Sequence, residues 1–155
     1  MTSLRNKLAG GLPPDLSERI NRLEIMRMVF EAIDATAWPR PRPVEGDRTP
    51  EPVLRTVVVF CYATGVFSSG DIESMARHDA SVRYLCANDH PAFEEVRQFR
   101  RHNISWLRES LARTLHAAWI TMFPQDANIS FLPFVAEADH RLASAVEADS
   151  AALDD

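Results

Sequence analysis

Apolar side chains recur at steps of three and four along most of this chain, and proline-bearing polar stretches interrupt them. Leu16, Ile20, Leu23, Met26, Phe30 and Ile33 share one stripe, with Arg19, Arg22 and Glu31 outside it, which predicts a first helix. Asp15 followed by Glu18 has the spacing of a capping box, so this helix is expected to begin near Leu16 and to end near Ala37. WPRPRPVEGDRTP (38–50) comes next, where four prolines remove backbone donors and push each preceding residue toward extended conformations. This stretch reads as a semi-rigid linker.

PVLRTVVVFCYATGVF (52–67) is apolar almost all round apart from Arg55, as expected of an element buried on most sides. Its β-branched run, Val57 to Val59, suits a strand as well as a helix. Length, Pro52 at a first-turn position and Gly65 near the end favour the helix. SSGDIESMARHD (68–79) starts with capping serines and places Ile72, Met75 and Ala76 on one side, a second short helix. Asp79 can cap a third through Val82, Tyr84, Leu85 and Cys86, which ANDHPA (87–92) ends. Over 92–102, Ala92, Val96 and Phe99 share a face, so Arg97 and Arg101 project outward while Arg100 sits on the shoulder of the stripe. Asn103 is expected to cap a long helix through Ile104, Leu107, Leu111, Leu115, Ala118 and Met122. After a loop at 124–133, Val135, Ala138, Leu142 and Ala145 define a last helix, whose end should fray because Asp149, Asp154 and Asp155 oppose the helix dipole.

The fold expected is all-α: one compact domain of about six helices with short turns. Its parts are an N-terminal helical extension (1–37), a Pro-rich linker (38–51), a helical domain (52–122) and an acidic C-terminal helical tail (123–155).

Charge sharpens this division. The net charge is −5, yet residues 52–118 hold 8 Lys/Arg against 7 Asp/Glu, whereas residues 119–155 hold 1 against 7. An acidic whole therefore leaves room for one local basic patch. The stretch RQFRRHNISWLRESLAR (97–113) carries five arginines and a histidine against one glutamate. No run of about 18 uncharged apolar residues occurs, and the N-terminus lacks the apolar core of a signal peptide, so a cytoplasmic protein without membrane contact is expected.

The run from Pro52 to Leu115 resembles the N-terminal domain of insertion-sequence transposases, of the InsH N-terminal type. The residues that carry the resemblance are Pro52, Tyr62, Gly65, the Ser68-Ser69 start, Ile72-Glu73, Val82 with Tyr84-Leu85, Pro91, the Phe99-Arg100-Arg101-His102 block and Leu107. It spans about residues 52–118 and leaves both ends outside. In that family the helical domain is taken to recognise the ends of the mobile element, while a downstream domain cuts and joins DNA. The resemblance thus implies a DNA-binding module that recognises element ends or modulates transposition, with DNA, a transposase or a second copy as partner.

A ribonuclease-H-like catalytic core needs several strands that present three acidic residues to metal ions. Asp126, Glu137, Asp139 and Glu147 sit on a loop or one helix, so no nuclease or transposase activity, no catalytic residue, no cofactor and no small-molecule substrate are expected. The DNA-binding candidates are Arg97, Arg101, His102 and Arg108, since guanidinium forks match phosphate oxygens. Their bland counterpart is a solvated face with Glu94–Arg97 and Glu109–Arg113 pairs at helical spacing. Arg100 and Trp106 read as structural support. Cys86 and His90 stand four apart but lack a second ligand pair, so no metal site is expected, and Cys61 lies in the most apolar helix, where burial suppresses thiol reactivity. The acidic tail can shield the basic face in cis or simply aid solubility. The alternative function is a protein-interaction or dimerisation domain with no nucleic-acid contact.

Overall fold

Side-chain caps cut the chain where its periodicity breaks. In the computed structural model, which describes residues 11–38 and 49–154, all regular structure is helical. The helices are α1 (Arg22–Ala35), α2 (Glu51–Ala63), α3 (Ser69–His78), α4 (Ala80–Cys86), α5 (Phe93–His102), α6 (Ile104–Met122) and α7 (Leu132–Asp154), with one-turn 3-10 segments at Leu16–Glu18 and Pro124–Asp126. Residues 39–48, most of the proline-rich linker, and residues 1–10 of the N-terminal extension lie outside the described residues. Among those described, no helix is long and apolar enough to cross a membrane.

The first helix starts later than its pattern suggests. The Asp15 carboxylate accepts from the Ser17 N–H at 2.8 Å and the Ser17 hydroxyl at 2.6 Å, which closes a single 3-10 turn. Asn21 then caps α1 by accepting from the Leu23 N–H at 2.8 Å. This restart shifts the phase of the stripe. Leu16, Ile20 and Met26 are buried, but Leu23 and Phe30 are 72% and 44% exposed, and Ile25, Met28, Val29 and Ala32 take the core positions.

α2 and α6 form the centre. Val57 through Ala63 are all fully buried, because α1, α4, α5, α6 and α7 pack around α2. That enclosure lets a β-branched run remain helical, since tertiary burial outweighs a few tenths of a kcal/mol of propensity per residue, as an order of magnitude. Gly65 ends α2 at φ 83, a left-handed conformation that costs an L-residue, and a Cβ there would stand 3.1 Å from the Pro14 carbonyl oxygen. α6 buries Trp106, Leu107, Leu111, Leu115, Ala118 and Trp119 between α1 and α7, and α7 answers with Phe134, Ala138, Leu142 and Ala145.

Two charged residues of α7 tie distant elements together. The Arg141 guanidinium is 1% exposed and donates to the carbonyls of Pro13 (2.9 Å), Pro14 (2.7 Å), Tyr62 (2.7 Å) and Ala63 (3.3 Å), with Glu137 at 3.2 Å. Tyr62 and Ala63 close α2, so the cation also meets the negative end of that helix. Asp149, expected to weaken the end of the last helix, is instead buried: it accepts from the Ser69 N–H (2.7 Å) and hydroxyl (2.6 Å) at the start of α3. A carboxylate unfavourable for its own helix is favourable at the N-terminus of another.

Candidate nucleic-acid interface

The basic stretch folds as a corner between α5 and α6. Two glutamates fix where α5 begins. Glu73 on α3 accepts from the Phe93 N–H at 2.6 Å, and Glu95 reaches back to the Ala92 N–H at 3.2 Å while also accepting from Thr49 at 2.9 and 3.0 Å. With that register, Val96, Phe99 and Arg100 face inward and Arg101 and His102 face solvent. Asn103 holds the N-cap position of α6, but its side chain makes no capping bond there. Its side-chain amide donates to the Phe99 carbonyl at 2.9 Å, closing α5 instead, while its own carbonyl accepts the first bond of α6 from Leu107.

The arginines of this corner are in different states. Arg97 lies 3.3 Å from Glu94, and Arg113 3.0 Å from Glu109, both along their own helices. Arg108 is paired with Asp139 of α7, with both side chains about half exposed at 44% and 50%. Arg100 is 3% exposed and ion-paired with Asp149 beside the Tyr62 phenol. Desolvation opposes its charge, but Asp149 holds it above the ordinary arginine value, while burial pushes Tyr62 up to about 12. Arg101 and His102 form no ion pair among the described residues.

Trp106 stands behind the corner in an aromatic cluster. It meets Trp38 edge-on at 4.9 Å between ring centroids and Phe99 at 6.2 Å, and Arg55 lies over the Trp38 ring at 4.5 Å. None of the three tryptophans has a freely exposed face for base stacking: Trp106 and Trp119 are buried, and Trp38 is covered by Arg55 and Phe99. Among the described aromatics Tyr84 is the most open, 72% exposed, ahead of Phe30 and Phe131. Although it shares a short helix with the buried Val82, Leu85 and Cys86, it lies about 200° from Val82 on a helical wheel, which turns it outward.

Burial raises the Cys61 thiol far above its ordinary value and lifts Cys86 to about 11, so neither is a ready nucleophile at neutral pH. No group of three His, Cys, Asp or Glu side chains is placed to hold a metal among the described residues. No protein-family model, curated protein or solved structure matches the chain.

Proposed function

We propose that these residues form a DNA-binding helical module of the insertion-sequence transposase N-terminal kind, which recognises DNA without cutting it. The observation that carries this reading is the division of the Phe99-Arg100-Arg101-His102 block. Phe99 and Arg100 are buried as scaffold, while Arg101 and His102 remain solvent-facing and outside any ion pair among the described residues. On an acidic protein, a cationic corner held at a rigid helix junction suits a phosphate backbone. Arg97 and Arg108 flank it, each with a glutamate or aspartate that phosphate must displace.

Fluorescence anisotropy with a labelled duplex between about 50 and 200 mM salt tests the reading. Binding should fall steeply with salt, and Arg101→Ala should reduce the logarithmic slope by about 0.9, the contribution of one phosphate contact. Unchanged affinity and slope in that variant would remove the corner from the account.

A second reading, a protein-interaction or dimerisation domain, draws on Leu23 and Phe30, exposed at 72% and 44% one above the other on α1. A mass that rises with concentration in light scattering, with no duplex retarded at low salt, would favour it.

A further inference from the structure

A groove separate from the α5–α6 corner runs between α3, α4 and the turn that follows α4. Its volume is 320 Å³, and Ala76, Ala80, Arg83, Tyr84, Asn88 and His90 line it. That is near the lower end of small-ligand sites, which span roughly 300–1,000 Å³. Two of the lining residues are alanines, so the groove is open where larger side chains would fill it. Tyr84 offers a largely exposed ring, and Arg83, Asn88 and His90 supply hydrogen-bond donors of three kinds. Among the described residues the lining contains no carboxylate. Arg83 forms no ion pair among the described residues.

The turn that brings Asn88 and His90 to the groove is held in an uncommon conformation. Ala87 and Asn88 have φ of 48 and 76, and the Asp89 N–H bonds the Cys86 carbonyl at 2.9 Å to close the turn. Successive left-handed residues are costly away from glycine, and this one is fixed by the packed end of α4, where Leu85 and Cys86 are buried.

An exposed aromatic face beside a guanidinium, an amide and an imidazole matches the parts of a nucleotide. The ring stacks a base, the arginine meets its phosphate, and the amide and imidazole reach the base edge or sugar. A paired base inside a duplex has no free face to give. We propose that this groove binds an unpaired nucleotide of a DNA strand, with Tyr84 as its stacking platform and Arg83 as its phosphate contact. The choice of DNA as the polymer rests on the function proposed above.

The test compares a blunt duplex with the same duplex carrying a four-nucleotide single-stranded overhang that contains 2-aminopurine. The overhang should tighten binding about tenfold and quench the 2-aminopurine, as stacking on one aromatic side chain does. Tyr84→Ala should abolish both effects and Tyr84→Phe should keep them; Tyr84 is exposed, so circular dichroism and thermal melting should be unchanged. Equal binding of blunt and overhang DNA, or a preference that survives Tyr84→Ala, overturns the groove assignment while leaving duplex binding at the corner intact. Tyr84-dependent capture of the overhang with no blunt-duplex binding would support the groove and overturn the corner. Failure of both DNAs to bind at low salt overturns both.

Discussion

Arg100 on α5 and Asp149 on α7 meet as a buried ion pair, neither side chain more than 3% exposed, across 49 residues of sequence. Asp149 also holds the first N–H and hydroxyl of α3, so one carboxylate joins three helices. Removing one partner leaves an uncompensated charge in a low-dielectric site, at about 3–5 kcal/mol. Asp149→Ala should therefore shift the urea midpoint strongly, and Arg100→Met combined with Asp149→Leu should recover only the share due to the stranded guanidinium, since the Ser69 N–H and hydroxyl stay unpaired. An Asp149→Ala variant as stable as the parent would show that water reaches the pair.

Arg141 is the stronger structural cation. Its donors serve four backbone carbonyls from two segments, and each carbonyl left unpaired in the interior costs roughly 1–3 kcal/mol. Arg141→Met should lose on the order of 3–5 kcal/mol in chemical denaturation, since it leaves several of these carbonyls without this donor. Lysine should rescue little, because one ammonium cannot span the positions a guanidinium fork reaches. Arg113→Met, at an exposed helix pair, is the control and should lose under about 1 kcal/mol.

His116 packs edge-on against Phe131 and Phe134 at 5.6 and 5.0 Å, beneath the start of α7. Burial holds its pKa below the ordinary 6.5, although the Ile129 backbone opposes the shift. The unfolded chain thus takes up the proton first as pH falls. The stability that this site contributes is complete above 6.5 and declines below it, until the folded imidazole itself titrates. Thermal melts of His116→Phe should show a flatter pH dependence than the parent below 6.5. Parallel profiles would mean that the ring protonates without disturbing α7.

Asp139 bears on the proposed DNA contact. Its pairing with Arg108 sets a carboxylate of α7 beside the corner, where it competes with any phosphate for that guanidinium. Asp139→Asn should tighten duplex binding at low salt and steepen the salt dependence by about 0.9 if Arg108 then joins the phosphate contacts. An unaltered slope would place Arg108 outside the footprint.

The helices from α2 to α6 were largely legible because their signals are local: Ser68 and Asp79 cap at the expected positions, and Pro52 and Gly65 bracket α2. Asn21 and Asn103 were harder. Each asparagine lies in a short break where its side chain can serve the helix before or the helix after, and the choice depends on which backbone group is left free. Asp149 read as an unfavourable charge at a helix end because its partners lie 49 and 80 residues away. Arg141 is marked in the sequence as the single Lys or Arg in 119–155. One cation among seven acids, in a helix with an apolar stripe, is more economically explained by interior carbonyls than by solvent. The corner itself was visible as a cluster of charge, and its Glu94–Arg97 and Glu109–Arg113 pairs follow from helical spacing; the Arg108–Asp139 pair was not visible, because Asp139 comes from a helix whose angle to α6 no local pattern specifies.

The reach of Arg141 has a consequence for how the protein is made. A ribosome releases α2 and the Pro13-Pro14 segment well before residue 141, and domains are completed in the order of synthesis. Until α7 emerges, the carbonyls of Pro13, Pro14, Tyr62 and Ala63 await their donor, and Ser69 awaits Asp149. Nascent chains halted before α7 should therefore stay protease-sensitive however many helices they already contain, which makes this helix the step that closes the bundle.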